Sequence, residues 1–183
     1  MSGHSHAKKI KHQKELTDQK RGTIFSKVTR LISVAVKESG PNPETNAKLR
    51  MAIEMAREAR MPGENIDRAI KKGTGELAGE NLESVIFEAY GPGGVAIIIE
   101  GITDNKNRTL GEVRQILNQN NGKLVGEGGV RWMFERKSQK PGSLEWIPKQ
   151  EMEVLEKDKK DCEKLFEALD ENDAVQEIYS NIK

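Results

Sequence analysis

Apolar residues recur at helical spacing through the first part of the chain and at strand-like spacing further on. Ile24, Val28, Leu31, Ile32 and Ala35 fall at i, i+4, i+7, i+8 and i+11, one face of a helix predicted over 17–39. Thr17 or Asp18 can cap its start, and Gly40-Pro41 stops it. Leu49, Ala52, Ile53 and Ala56 form the buried stripe of a second helix, roughly Glu44 to Ala59. A third begins near Pro62, a residue favoured at the first helical position, buries Ile66, Ala69 and Ile70, and ends at Gly73. Three short amphipathic helices over 17–73 predict a small three-helix bundle. Residues 1–16 carry only Ile10 and Leu16 as bulky apolar groups, too little burial to offset ordering entropy, and are expected to be a flexible basic arm.

Residues 74–82 are Gly-rich and read as a linker. Beyond it, over 83–183, Val85–Tyr90 and Val95–Ile102 read as strands joined by a tight turn at Gly91-Pro92-Gly93-Gly94. A helix is predicted from about Thr109 to Asn120, strands over Val130–Glu135 and Leu144–Ile147, a helix over Asp158–Leu169 and a last strand over Val175–Tyr179. This order predicts a layered α+β domain with helices on one face of a sheet, and an α+β multidomain chain as a whole.

Charge divides the chain in the same place. Residues 1–75 hold 16 Lys and Arg against 8 Asp and Glu, net +8; residues 76–183 hold 14 against 21, net −7. Such segregation suggests that one part faces a polyanion. Lys8, Lys9, Lys11, Lys14, Lys20 and Arg21 stand within fourteen positions, a cluster able to release counterions from phosphates. Lys27 and Arg30 extend this positive character along the first helix. Arg68, Lys71 and Lys72 form one patch on the third helix, which its own dipole also explains, being near the C-terminus. No convincing base-reading helix accompanies them. Asn105, Asn107 and Arg108, at a strand-to-helix turn, are either a second contact surface or a solvated loop; Thr109 with Glu112 fits a capping box.

Other chemistries are weakly supported. His4, His6 and His12 lack the Cys or carboxylate support of a preorganised metal site. The glycines at 91–94 precede an apolar strand and no Lys-Ser/Thr follows, unlike a phosphate loop; Gly73, Gly75 and Gly79 have the wrong spacing for a dinucleotide fingerprint. The single cysteine, Cys162, sits in a buried helical stripe and excludes an internal disulfide. No apolar run approaches a membrane span, and the basic opening is not a secretory signal. A cytoplasmic, non-enzymatic monomer without cofactor, metal or small-molecule substrate is expected.

The runs GHSHAKKIKHQK, DQKRGTIFSK, MPGENIDRAIKKGTG, EAYGPGGVAIIIE and TDNKNRT resemble the YebC/PmpR family, in order and over most of the chain. The resemblance implies a three-helix domain followed by two ferredoxin-like α+β domains. Family members are described as DNA-binding transcriptional regulators and as ribosome-binding translation factors that relieve stalling at proline-rich stretches; a mitochondrial relative is a translational activator. It further implies that Gly3, His4, Ser5, Lys11, His12, Lys20, Arg21 and Gly22 contact ribosomal RNA near the peptidyl-transferase centre, with Asn105, Asn107 and Arg108 a family-typical surface. The expected partner is therefore the ribosome and its rRNA, or alternatively DNA. Two departures stand out. His6-Ala7 replace the usual Lys-Trp, removing an aromatic whose stacking would be worth ~1–3 kcal/mol per base. Residues 138–143 join two segments that in the family flank an inserted third domain, so a short variant with a single ferredoxin-like domain is expected.

Overall fold

The computed structural model describes residues 18–183, which contain five α-helices and six strands. α1 (Asp18–Ser39), α2 (Ala47–Glu58) and α3 (Gly63–Thr74) come first. They are followed by β1 (Glu83–Tyr90), β2 (Ala96–Thr103), α4 (Lys106–Gln119), β3 (Lys123–Val125), β4 (Phe134–Lys137), β5 (Glu145–Pro148), α5 (Glu156–Asp170) and β6 (Val175–Ser180).

The three-helix core joins Val28, Ile32, Ala35 and Val36 of α1 to Leu49, Ala52, Ile53 and Ala56 of α2 and Ile66 and Ala69 of α3. Gly40, at φ +88°, ends α1 as expected. α2 starts later than its pattern predicts, because Asn46 is the cap: its side chain accepts from Leu49 N at 3.0 Å. The same amide donates to Ala35 O and Gly40 O, tying the end of α1 to the start of α2. Gly73 does not end α3; the helix runs to Thr74 and Gly75 takes the left-handed cap at φ +86°. Gly73 is instead where α3 crosses α1, since a Cβ there would lie 2.7 Å from Ser33 O and Val36 Cβ.

The sheet has the order β3-β1-β2-β6, antiparallel throughout. β1 and β2 pair along their full length, Glu83 opposite Thr103 and Tyr90 opposite Ala96. Alternation sorts their side chains. Val85, Phe87, Ala89, Ile97 and Ile99 face α4 and α5, where Val113, Leu117, Cys162, Leu165, Phe166 and Leu169 complete a core. Ala96 and Ile98, with Ile86 and Tyr90 half-buried beside them, face the other way, towards Phe134 and Trp146 of the β4–β5 hairpin. β2 is apolar at successive positions because both its faces are covered. The ferredoxin-like layering of helices on one face of an antiparallel sheet is thus present.

Three local expectations need correction. α4 begins at Lys106, not Thr109: Asn105 is the cap, accepting from Arg108 N at 3.0 Å. Thr109 is buried and its hydroxyl donates to Thr103 Oγ1. β3 escaped prediction, being three residues long and mixed in polarity. Residues 131–133 form a 3-10 turn, so the strand expected from Val130 begins only at Phe134.

The bundle and the sheet are joined by polar contacts. The Lys27 ammonium, 3% exposed, donates to the backbone carbonyl of Asp170 and pairs with its carboxylate at 3.0 Å. Arg30 donates to Ile102 O at 3.0 Å, and Gln176 donates to Lys27 O at 3.0 Å. Gly142, in the β4–β5 turn, passes so close to α2 that a Cβ would sit 2.5 Å from Ala47 O.

Candidate nucleic-acid interface

The structure divides the predicted contact residues of the basic region into three groups. Gly3, His4, Ser5, Lys8, Lys9, Lys11, His12 and Lys14 lie outside the described residues. Lys27 is buried against Asp170, so it belongs to the joint between bundle and sheet and not to an outward-facing basic surface. Arg30 is similarly tied, through its guanidinium, to the end of β2. The remaining residues are exposed to differing degrees. Arg21 is exposed, 4.0 Å from Asp18, and Lys20 is half-buried. Arg68, Lys71 and Lys72 are all exposed on the last two turns of α3.

The packing of α1 on α3 brings part of this set together. Arg30, Lys37 and Lys72 line one cleft of about 240 Å³ between α1, α3 and residues 80–82, with Glu80 on its rim. Lys37 was not among the sequence candidates; it stands at i+7 from Arg30, two turns along the same face, and that spacing was the available signal. Its ammonium donates to Asn81 Oδ1 at 3.2 Å. From Asp18 to Gly75 the chain carries 12 Lys and Arg against 7 Asp and Glu, so the positive excess persists without the first seventeen residues.

The second predicted surface has a local structural role that the sequence reading left unassigned. Asn105 caps α4, and Arg108 bridges Asp104 and Glu112, at 2.5 and 3.7 Å. The hydrogen bond from Arg108 holds the exposed Asp104 carboxyl below its usual range, and Asp104 in turn raises the Arg108 guanidinium. Asn107 is exposed on the first turn of the helix.

One charged group was missed altogether. Glu88 of β1 is 2% exposed, on the hairpin side of the sheet. Its carboxylate accepts from the backbone N–H groups of Gly128 (2.8 Å), Val130 (3.1 Å) and Arg131 (2.7 Å), and the Arg131 guanidinium lies 3.3 Å away. Burial pushes the carboxyl upward, but the three N–H donors and Arg131 outweigh it and hold the group below its ordinary value. A lone Glu inside an otherwise apolar strand was the signal for it. Cys162, by contrast, fits its reading as core: its thiol is fully buried and pushed up to about 11, mainly by burial.

A basic helical unit joined to a layered α+β sheet unit defines a two-part architecture, and comparisons with known proteins give it a family. Residues 5–76 match the TACO1/YebC protein N-terminal domain. Residues 82–140 and 139–182 match the TACO1/YebC second and third domain, in two runs that meet in the turn between β4 and β5. The chain belongs to the TACO1/YebC family. It is 58% identical over 136 residues to a probable transcriptional regulatory protein of Thermoanaerobacter pseudethanolicus, covering 74% of this chain and 55% of that one. A similarly named protein of Aquifex aeolicus is 52% identical over 160 residues, 86% of this chain and 62% of the relative. The chain therefore spans less than two thirds of the length of these relatives. The crystal structure of a conserved hypothetical protein, Aq1575, from Aquifex aeolicus superposes with a TM-score of 0.84 at 36% identity, over 95% of each chain.

Proposed function

We propose that this chain is a nucleic-acid-binding regulator of gene expression that acts by contact and not by catalysis, and that its target is RNA on the ribosome. The observation that carries the reading is the segregation of charge: a helical unit with excess cations, its Arg68, Lys71 and Lys72 exposed together, attached to an acidic remainder. Such a surface binds phosphates through counterion release without needing to read bases. The sequence of the helical unit shows no convincing base-reading helix, which favours RNA over promoter DNA. The buried, poorly ionised Cys162 favours binding over chemistry. In this reading β4 passes directly into β5 where longer relatives carry a further domain, and the protein works without it.

A DNA-binding transcriptional regulator is the second reading, favoured by the names of the relatives. Sucrose-gradient sedimentation of tagged protein from cell extracts separates the two. Comigration with the large ribosomal subunit, lost when salt is raised, is the expected result. Selective retention on promoter duplex with none on ribosomes would defeat the ribosomal reading.

A further inference from the structure

β3 covers only part of β1. It pairs with Glu88, Ala89 and Tyr90, and the chain then turns away at Gly126 towards the loop that Glu88 anchors. Along the remaining length of that edge, Glu83 to Phe87, no strand pairs with β1 among the described residues. An unpaired edge presents a row of backbone donors and acceptors. Beside it lies an open cleft of about 620 Å³, walled by α4, with Ile86, Phe87, Leu124 and Val125 supplying apolar lining.

The α4 wall has a distinct pattern. Lys106, Leu110 and Arg114, at i, i+4 and i+8, all line the cleft. Neither Lys106 nor Arg114 has a hydrogen bond or ion pair among the described residues. The acids nearby are already engaged: Glu88 and Glu127 both pair with Arg131. Among the described residues, the cleft thus holds two cations with no ion-pair partner, on either side of an apolar residue. Eight residues of helix rise about 12 Å, close to the ~13 Å spanned by four residues of a strand.

We propose that this edge and cleft form a docking site for an extended acidic peptide of a partner protein, bound as an added strand in line with β3. The matching lengths fix the pattern: acidic residues at peptide positions i and i+4 reach Lys106 and Arg114, and an apolar residue at i+2 lies against Leu110. All three side chains point to one face because strand side chains alternate. Backbone pairing supplies affinity and the side-chain positions supply selectivity. A nucleic acid fits less well, since it cannot pair with a strand edge.

Fluorescence anisotropy with a labelled peptide centred on Glu-Thr-Val-Thr-Glu tests this directly on the full chain. Saturable binding is expected, weakened at least tenfold by the double variant Lys106→Glu/Arg114→Glu and equally by replacing both peptide glutamates with lysine. Neither substituted residue has a hydrogen bond or ion pair among the described residues, and circular dichroism checks that the variant folds. In amide NMR spectra of the unaltered protein, the peptide should shift the signals of residues 84–87 and 123–125. N-methylation of alternate peptide backbone nitrogens should abolish binding in one of its two registers. Retained affinity in both registers, absence of binding at millimolar peptide, or displacement of the peptide by oligouridylate with the same amide shifts would each overturn the proposal.

Discussion

At the scale of single residues, Glu88 is the most consequential side chain that pattern reading passed over. A carboxylate at the centre of a strand costs free energy unless its oxygens are filled, and here three backbone N–H groups and one guanidinium fill them. Replacing Glu88 with Ala strands those donors and should cost about 3 kcal/mol, within the range for breaking a buried charged network. The pH dependence has a defined sign. Folding holds this carboxyl below its ordinary value of 4.5, so its stabilisation is present above that value and is lost as pH falls through the folded value. Thermal unfolding followed from pH 7 down to pH 3 should therefore show a steeper loss of stability in the native protein than in Glu88→Gln, and parallel curves would refute the account. Trp146 shows similar logic on a smaller scale: Arg136 lies over its ring at 4.4 Å while the indole N–H donates to Glu100, so an aromatic group in the hairpin core keeps its polar edge paired.

At the scale of elements, the close crossing of α1 and α3 depends on Gly73. A Cβ there meets Ser33 O and Val36 Cβ at 2.7 Å, and neither is the yielding end of a long side chain. Gly73→Ala gains helix propensity of about 1 kcal/mol but forces the helices apart, which typically costs about 1–3 kcal/mol and here should exceed that gain. A lowered denaturation midpoint in urea checks it; a raised one would show that the crossing has slack. This residue also shows what the sequence could convey. Apolar periodicity locates the three helices of the bundle and both long strands, because burial on one face repeats at a fixed spacing, as in Val28, Ile32 and Ala35 of α1. A glycine required for close packing looks the same in sequence as a glycine that ends a helix, so the pattern alone does not separate Gly73, at the crossing, from Gly75, the cap. The start of α4 was misplaced for a related reason: Asn105 and Thr109 are both good caps, and only the path of the chain out of β2 selects the first. Lys27 and Arg30 read as outward cations because their partners, Asp170 and Ile102, are 143 and 72 residues away. Long-range pairing of that kind leaves no local trace.

At the scale of the whole molecule, what matters is how many cations remain to face phosphate once folding has used its share. Lys27 is committed to holding bundle and sheet together, so it positions the basic unit without adding to its reach, whereas Arg30 is tied to Ile102 O and still lines the cleft between α1 and α3. On α3, which packs on α1 through Ile66, Ala69 and Gly73, Arg68 and Lys71 lie on the opposite, solvent side, and Lys72 stays exposed on the flank where it lines the cleft. The contribution of these three can be counted thermodynamically. Each phosphate contact with a single strand releases counterions and steepens the fall of log K with log salt by about 0.7. The triple variant Arg68→Ala/Lys71→Ala/Lys72→Ala should therefore flatten the salt dependence of RNA binding by up to about 2 in slope. Because all three positions are exposed, the melting temperature should move little by comparison with Gly73→Ala. Lys27→Met should behave in the opposite way, loosening the joint to α5 while leaving the slope nearly unchanged. Filter binding of a labelled rRNA fragment across a series of potassium concentrations measures the slope, and thermal unfolding measures the stability. An unchanged slope in the triple variant would place the phosphate contacts elsewhere on the molecule, and a flattened slope in Lys27→Met would mean that the buried lysine leaves Asp170 when nucleic acid arrives.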